Sequence, residues 1–243
     1  MSLNSKEVMM NNILIEYMKK RFKANEAEHT KSISKAGPVV TISREYGCPA
    51  KRLASMLVTT LNEIEIENFT KHRWKWIGKE VMEESARELH LKPQIIQDII
   101  QSDEQNVIDE IVLSLSHKYY PGNNKVKKTI KQFIYSIAKQ GHVIIVGRGG
   151  VAIAHDIENA LHIKIMAPLE WRIQNVAKKQ KISEQNAKKV IMDIDKKRTN
   201  MRNHFFGRKT DDSVFDIILN YVRFDDNAII DTITHIMKSK NMV

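Results

Sequence analysis

Two short apolar runs separated by a glycine-rich turn mark residues 141–172. The first run, residues 143–146, stops at Gly147-Arg148-Gly149-Gly150, and the second, residues 161–166, follows after about one crossover. Short β-branched runs bounded by glycine are typical of parallel strands that are buried on both faces. The stretch therefore predicts an α/β fold built on a parallel sheet.

Arg148 follows the carboxyl end of the first run, where open α/β sheets bind ligands. Its guanidinium is a permanent cation with a forked set of donors, which suits an anionic, phosphorylated ligand. The alternative is a loop arginine paired with a nearby carboxylate, and position alone does not decide between the two.

The rest of this part of the chain alternates in the same way. Residues 39–43 predict a strand, residues 44–49 a glycine-containing turn and residues 50–62 a helix, a layout that points backbone N–H groups at a phosphate. Ser183 is a suitable N-cap residue. Further downstream the pattern predicts helices at 168–179, 183–203 and 225–238 and a strand at 215–222.

Two regions are less regular. Residues 4–27 predict an amphipathic helix, followed by a linker, that docks on the domain, on a second subunit or on nothing lasting, which leaves homodimerisation open. Between the strands, helical periodicity occurs at 77–89, 107–115 and 126–138. Trp74 and Trp76 precede the first of these segments and serve either to stack on a base or as packing anchors.

Charge and cysteine content narrow the function classes. A net charge of +10 favours anionic partners, but the chain lacks the interleaved aromatic and basic residues of stacking platforms, so nucleic-acid binding is not predicted. The single cysteine, Cys48, excludes an internal disulfide and fits a reducing compartment. Without a long apolar run or a signal-peptide pattern, we expect a cytoplasmic protein with no membrane partner.

Five motifs in order carry a family resemblance: VVTISREYG, VIIVGRGG, IKIMAPLEWR, DKKR and FDIILN. Together they resemble the cytidylate-kinase-like branch of the P-loop nucleoside monophosphate kinases, from residue 37 onward. The resemblance implies a three-layer, P-loop NTPase-type parallel sheet over residues 37–243, after an N-terminal segment, 1–36. It also implies a helical acceptor-binding insertion at about 69–138 and a helical lid at about 180–212.

The activity that the resemblance implies is transfer of the γ-phosphoryl group of ATP, with Mg²⁺, to a nucleoside monophosphate or a similar small acceptor. Arg148 matches the arginine that grips the acceptor, and Arg172 matches the arginine that begins the helix entering the lid. Asp195 and Arg198 match a lid aspartate and arginine, with Arg198 stabilising the transferring phosphoryl group. Without the resemblance, these last two read as an ordinary exposed ion pair. Two more arginines continue the basic run and are predicted to assist in the lid: Arg202 and Arg208.

The first loop departs from the P-loop pattern GxxxxGK[ST]. Alignment places Arg44, Pro49, Ala50 and Lys51 at the Gly, Gly, Lys and Ser/Thr positions, so Pro49 removes one N–H donor. No side-chain metal ligand is predicted, unless Ser43 or a water replaces the missing hydroxyl. Cys48 is either a reactive thiol near a helix N-terminus or a small tolerated residue. The residues predicted to bind ATP phosphates are Ser43, Arg44, Gly47, Lys51 and Arg52.

Base recognition departs as well. Cytidylate kinases carry an aspartate after the GR pair, where this chain has Gly149, and their acidic residue in the acceptor domain is replaced by Ile77-Gly78. Cytosine is therefore not predicted as the acceptor base. Two hypotheses remain: an ATP-dependent nucleotide kinase, favoured by the arginines, and a non-catalytic nucleotide-binding or regulatory module, favoured by the altered loop.

Overall fold

The computed structural model describes residues 37–78 and 124–243. The chain divides into two compact units, one containing Ala36–Gly78 and Ala138–Val243 and the other containing Met1–Lys35 and Lys79–Ile137. In chain order the described elements are β1 (Val39–Arg44), α1 (Ala50–Glu67), β2 (Lys75–Ile77), α2 (Asn124–Gln140), β3 (Val143–Val146), α3 (Gly150–Ile153), β4 (Ala160–Met166), α4 (Leu169–Gln180), α5 (Glu184–Phe206), β5 (Ile217–Asn220) and α6 (Asp226–Ser239).

The five strands form one parallel sheet in the order β2-β3-β1-β4-β5. Val39 lies opposite Val143 on β3 and opposite Ala160 on β4, so β1 is the central strand. After β3 the chain crosses over β1 to reach β4, which reverses the direction in which strands are added. In open parallel sheets this reversal leaves a crevice at the carboxyl ends of the two strands, here β1 and β4, where ligands bind.

Alternate residues of the central strands face two separate layers. Thr41 and Ile145 face α3, where a Cβ at Gly150 would lie 2.8 Å from Ile145 Cγ2. The opposite face packs against α1 and α6 in a continuous apolar core. Its buried members include Val40, Ile42, Leu53, Leu57, Leu61, Leu161, Ile163, Ile165, Ile229, Ile233 and Met237. Helices on both faces explain why β3 is apolar along its whole length and why β1 and β4 are largely apolar.

The structure confirms the predicted α/β parallel sheet and most of the predicted elements. Strands β1, β3 and β4 match their predicted ranges to within one residue, and α2, α4 and α6 match theirs to within two. Ser183 caps α5 as predicted, since its Oγ accepts the Asn186 N–H at 3.3 Å. The predicted strand at 215–222 is shorter, because Asn220 Oδ1 accepts the Val222 N–H and starts a 3₁₀ turn, Tyr221–Arg223.

The structure corrects the segment at Ile77. The sequence predicts a helix beginning there, but Ile77 ends strand β2 and lies opposite Ile145. Trp74 is 2% exposed, and its Nε1 donates to Glu65 Oε1 at 3.2 Å, so it is a packing anchor, as is the half-buried Trp76. The remainder of that predicted helix, the one at 107–115 and the N-terminal segment 1–36 lie outside the described residues. No helix in the described ranges has the length and apolarity needed to cross a bilayer.

Two histidines have lowered pKa values. Burial lowers the pKa of His142, and His72, stacked on it at 4.0 Å between ring centroids, lowers it further, while Glu65 opposes both. Burial also lowers the pKa of His162, whose Nδ1 lies 2.8 Å from Thr41 Oγ1. Both imidazoles are therefore more difficult to protonate in the folded chain than in the unfolded chain.

This difference predicts a loss of stability in mild acid. A histidine with a lowered pKa contributes its stabilisation fully above the unfolded pKa of about 6.5, and the contribution declines as the pH falls below that value. Urea unfolding between pH 8 and pH 5 should show the decline. His162→Gln should make it shallower, whereas His235→Gln, at an exposed position of α6, should retain the wild-type profile. A profile as steep in His162→Gln as in the wild type would contradict the assignment.

Candidate functional site

The loop after β1 is held in place by helix α4, which begins just after β4. Gly47 has a φ of +101°, and a Cβ there would lie 3.3 Å from both Arg172 Cβ and Val176 Cγ2. Asn175 Nδ2 donates to Gly47 O at 2.8 Å. Asn175 and Val176 follow Arg172 by three and four positions, so one helix face supports the loop. Gly47 is required both for its left-handed backbone and for this close approach.

Arg172 is the centre of the arrangement and is 7% exposed. Its Nε donates to Ala167 O at 3.0 Å and lies 3.3 Å from Glu45 Oε2. Its Nη1 donates to Asp195 Oδ2 at 2.7 Å and to Tyr46 O at 3.4 Å. The guanidinium therefore ties together the loop after β1, the loop after β4 and helix α5.

Asp195 and Arg198 attach α5 to the same loop. Asp195 Oδ1 accepts the Tyr46 N–H at 2.7 Å, and Arg198 Nη1 donates to Arg44 O at 3.0 Å. The Arg198 guanidinium lies over the Tyr46 ring, 5.3 Å from its centroid, and 3.7 Å from Asp195 Oδ1. Burial lowers the pKa of Arg198, partly offset by Asp195, but such a shift leaves an arginine charged at neutral pH.

The turn after β3 brings a second group of side chains to this edge of the sheet. Gly147, Arg148 and Gly149 have φ values of +73°, +54° and +71°, three left-handed residues in succession. A Cβ at Gly147 would overlap Nη1 of Arg44, and a Cβ at Gly149 would overlap the ring of Phe205. Both glycines therefore permit close approach, and Arg148 lies between them with two buried guanidinium nitrogens, Nε and Nη2. The strained backbone at Arg148 is of the kind that accumulates at functional sites.

The structure brings together part of the predicted site. Arg44, Gly47, Arg172, Asp195 and Arg198 are linked through the first loop, and Arg44 also contacts the turn that carries Arg148. Ser43 is paired within the sheet opposite Lys164, and Lys51 is exposed at the start of α1.

Three predicted arginines have other partners. Arg52 Nη2 donates to Tyr221 Oη at 2.6 Å and contacts Asp226 at 2.7 Å, beside a groove of about 410 Å³ at the start of α6. Arg202 donates to Thr210 and lies over a phenylalanine ring, and Arg208 lies over another. These contacts do not join any of the three arginines to the first loop, as the Arg198 hydrogen bond does. Their roles in binding therefore stay predictions.

Sequence reasoning missed Glu45, Asn175 and Phe205. Asn175 is three residues after Arg172 and shares its helix face, a signal available once the arginine is placed. Gly149 indicates that some group comes close to the turn, but not which one. Glu45 gave no signal, since a loop carboxylate beside an arginine is an ordinary surface feature.

Cys48 is half-buried in the same loop. Burial raises its pKa to about 12, and the Glu45 carboxylate adds to the rise. Because only the thiolate is a good nucleophile, this environment favours the second of the two alternatives for Cys48, a small tolerated residue.

The donor set suits phosphate better than metal. Guanidinium groups bind anions well. The N-terminus of α1 also favours an anion, because its N-cap residue, Pro49, makes no side-chain hydrogen bond to it. Within residues 37–78 and 124–243, no cluster of three or more His, Cys, Asp or Glu side chains is arranged to hold a metal ion. The Glu45 and Asp195 carboxylates are both engaged by Arg172.

The contact between Gly149 and Phe205 gives a stability prediction. Gly149→Ala should lower the free energy of unfolding by about 2 kcal/mol, of which roughly 1 kcal/mol is the left-handed backbone and the rest is overlap with the ring. In a Phe205→Ala background the substitution should cost only the backbone part. Urea unfolding of the four proteins in this cycle measures the coupling. Equal costs in both backgrounds would contradict the close packing.

Comparison with solved structures bears on the fold. An uncharacterised protein from Eubacterium ventriosum has a similar fold, with a TM-score of 0.58, 20% identity, and coverage of 83% of this chain and 98% of that one. Two further structures, dephospho-CoA kinase from Campylobacter jejuni and TT1252 from Thermus thermophilus, match with TM-scores of 0.37 at 11% identity, and each aligns with 84% of this chain. They cover 97% and 98% of their own lengths respectively.

No curated protein matches the chain. The model of the cytidylate kinase-like family matches residues 39–222, from the start of β1 to the turn after β5. This range contains the first loop, the turn at Arg148 and the Arg172–Asp195–Arg198 group, and it is well over half of the chain. The protein therefore belongs to the cytidylate kinase-like family.

Proposed function

We propose that this protein is an ATP-dependent phosphotransferase that moves the γ-phosphoryl group to a nucleoside monophosphate or a similar small acceptor. One observation carries the proposal. Arginines from four separate segments gather at the carboxyl ends of β1, β3 and β4, where the direction in which strands are added to the sheet reverses. Their segments are β1, the turn after β3, α4 and α5, and the arginines are Arg44, Arg148, Arg172 and Arg198.

Phosphoryl transfer explains why a site would need this set. The reaction requires little covalent help from the protein and depends on positioning and on neutralising charge on the transferring group. In the proposal Arg148 binds the acceptor, and Arg198 stabilises the charge on the phosphoryl group in flight. Arg172 does not touch substrate; it is a positioning residue that fixes Asp195 and, through α5, the place of Arg198.

ATP and Mg²⁺ enter the proposal differently. The polyphosphate of ATP suits the cations and the helix start at the first loop, where Ser43, Gly47, Lys51 and Arg52 complete the proposed binding set. Mg²⁺ is usually held by substrate phosphates and waters with one or two carboxylates. Because both nearby carboxylates are engaged by Arg172, the described residues provide no ready ligand for the ion.

The first loop favours a second candidate, a nucleotide-binding or regulatory module without turnover. Its N–H groups are largely taken: Glu45 donates to Ile165 O, Tyr46 to Asp195, and Cys48 to Glu45 O. Pro49 has no N–H to offer. A loop with so few open donors binds a triphosphate less firmly than a true P-loop does.

A panel of nucleoside monophosphates with Mg-ATP, read for ADP formation and for thermal shift, separates the two candidates. Turnover that exceeds that of an Arg148→Ala control supports the phosphotransferase. Nucleotide-induced stabilisation without ADP from any acceptor supports the module. If neither ATP nor any monophosphate shifts the melting temperature, both candidates are wrong.

A further inference from the structure

Two hydrogen-bond donors and a neighbouring guanidinium surround the Asp195 carboxylate of α5, beside the first loop. Tyr46 N–H and Arg172 Nη1 both reach Asp195 at 2.7 Å, and Arg198 Nη1 lies 3.7 Å from it. The Tyr46 N–H with the Arg198 guanidinium beside it is a donor pair that binds phosphate oxygens well. Here the protein's own carboxylate occupies it.

A second carboxylate, that of Glu45, also pairs with the positive charge of Arg172. Glu45 Oε2 accepts the Ala167 N–H at 3.2 Å and lies 3.3 Å from Arg172 Nε. Arg172 thus has anionic partners at both Nε and Nη1, and it would keep Glu45 and the carbonyl of Ala167 if Asp195 left. Asp195 is the carboxylate that holds the Tyr46 N–H, and its side chain is 27% exposed, so water can hydrate it when it leaves that N–H.

We propose that Asp195 is an internal competitor for a phosphate oxyanion at this site. When a phosphate group binds, it replaces the Asp195 carboxylate on the Tyr46 N–H and beside Arg198. A polyphosphate carries more negative charge than a carboxylate, so the exchange is favourable. It also releases one of the contacts that hold α5 against the loop. The inference rests on the proposed function, since it concerns the same phosphate-binding site.

Inorganic pyrophosphate is the simplest probe, and calorimetric titration of the full chain at constant salt gives its affinity. Asp195→Asn keeps the shape and the acceptor oxygen but removes the charge that competes with the ligand. We expect this variant to bind pyrophosphate about tenfold more tightly than the wild type. Asp193→Asn is the matched control, because Asp193 is on the same helix, pairs with Lys197 and has a side chain that is 57% exposed. This control removes the same negative charge as Asp195→Asn, and it should change the affinity for pyrophosphate by less than about twofold.

A second measurement uses the wild type and does not depend on the folding of a variant. Saturating pyrophosphate should shift the amide NMR resonance of Tyr46, because its N–H exchanges one acceptor for another. An unmoved Tyr46 resonance at saturation overturns the inference, as does an Asp195→Asn affinity equal to or weaker than that of Asp193→Asn. If pyrophosphate binds but either of these results is obtained, the inference fails alone. If neither pyrophosphate nor ATP binds any of the three proteins, the proposed function fails with it.

Discussion

Replacing Arg172 by alanine should lower the free energy of unfolding by about 3 kcal/mol, the lower part of the range for breaking a buried ion pair by removing one partner. The reason is that Arg172 is buried and its removal takes away the guanidinium that pairs with both Glu45 and Asp195, while Asp195 keeps only Arg198, at 3.7 Å, as a cationic partner among these contacts. Both carboxylates are about a quarter exposed, so water compensates in part. For a domain of this size the melting temperature should fall by roughly 6–12 °C.

Arg52→Ala is the matched control for this experiment. Arg52 also pairs with an aspartate at 2.7 Å, but its side chain is 58% exposed. An exposed pair contributes about 1 kcal/mol or less, so this variant should melt within a few degrees of the wild type. Urea and thermal unfolding of both variants measure the difference. If the two variants are equally stable, Arg172 does not hold the loops together as the contacts indicate.

The elements buried on both faces were those that the sequence predicted best. Strands β1, β3 and β4 are short, apolar and bounded by glycine or polar turns, and these local signals determined their ranges closely. Strand β2 was missed because it has three residues, two of them Lys75 and Trp76, and its strand conformation depends on pairing with β3. A segment this short has no periodicity of its own, so local sequence cannot identify it.

The site was predictable only where its residues fall in motifs. Arg172, Asp195 and Arg198 were singled out by resemblance, but the sequence did not indicate that Arg172 is buried and engaged with two carboxylates. Glu45 and Asn175 matter only because α4 lies against the first loop, a contact between residues more than a hundred positions apart. Tertiary packing of this kind has no local signature. The same holds for Phe205, whose place over Gly149 depends on where α5 ends.

That packing bears on acceptor recognition. The position after the GR pair carries an aspartate in the proteins that the motifs resemble, and here the space for any side chain at Gly149 is filled by Phe205. An aspartate at position 149 would therefore also require Phe205 to move. Under the proposed function, this packing weakens the case for cytosine as the acceptor base and leaves the acceptor to the nucleotide panel.

Arg198→Ala should reduce kcat for the proposed phosphotransferase reaction by about a thousandfold, the lower end of the effect of an arginine that stabilises charge on a transferring phosphoryl group. Stability should change little. Arg198 donates a hydrogen bond to Arg44 O, lies 3.7 Å from Asp195 Oδ1 and covers the Tyr46 ring, and these partly exposed contacts together contribute about 1–2 kcal/mol. A large loss of kcat with a small change in melting temperature is a result that a purely structural arginine would not give.

Lys197→Ala is the control, because it removes the same charge from the adjacent position. Lys197 is 70% exposed and pairs with Asp193, one turn earlier on α5, so the loop contacts of Arg198 remain in this variant. ADP formation with the acceptor found by the nucleotide panel should be close to wild type for Lys197→Ala. Equal turnover by the two variants would remove Arg198 from the reaction. The remaining arginines would then serve only to bind the nucleotide, and the non-catalytic module would become the better account of the site.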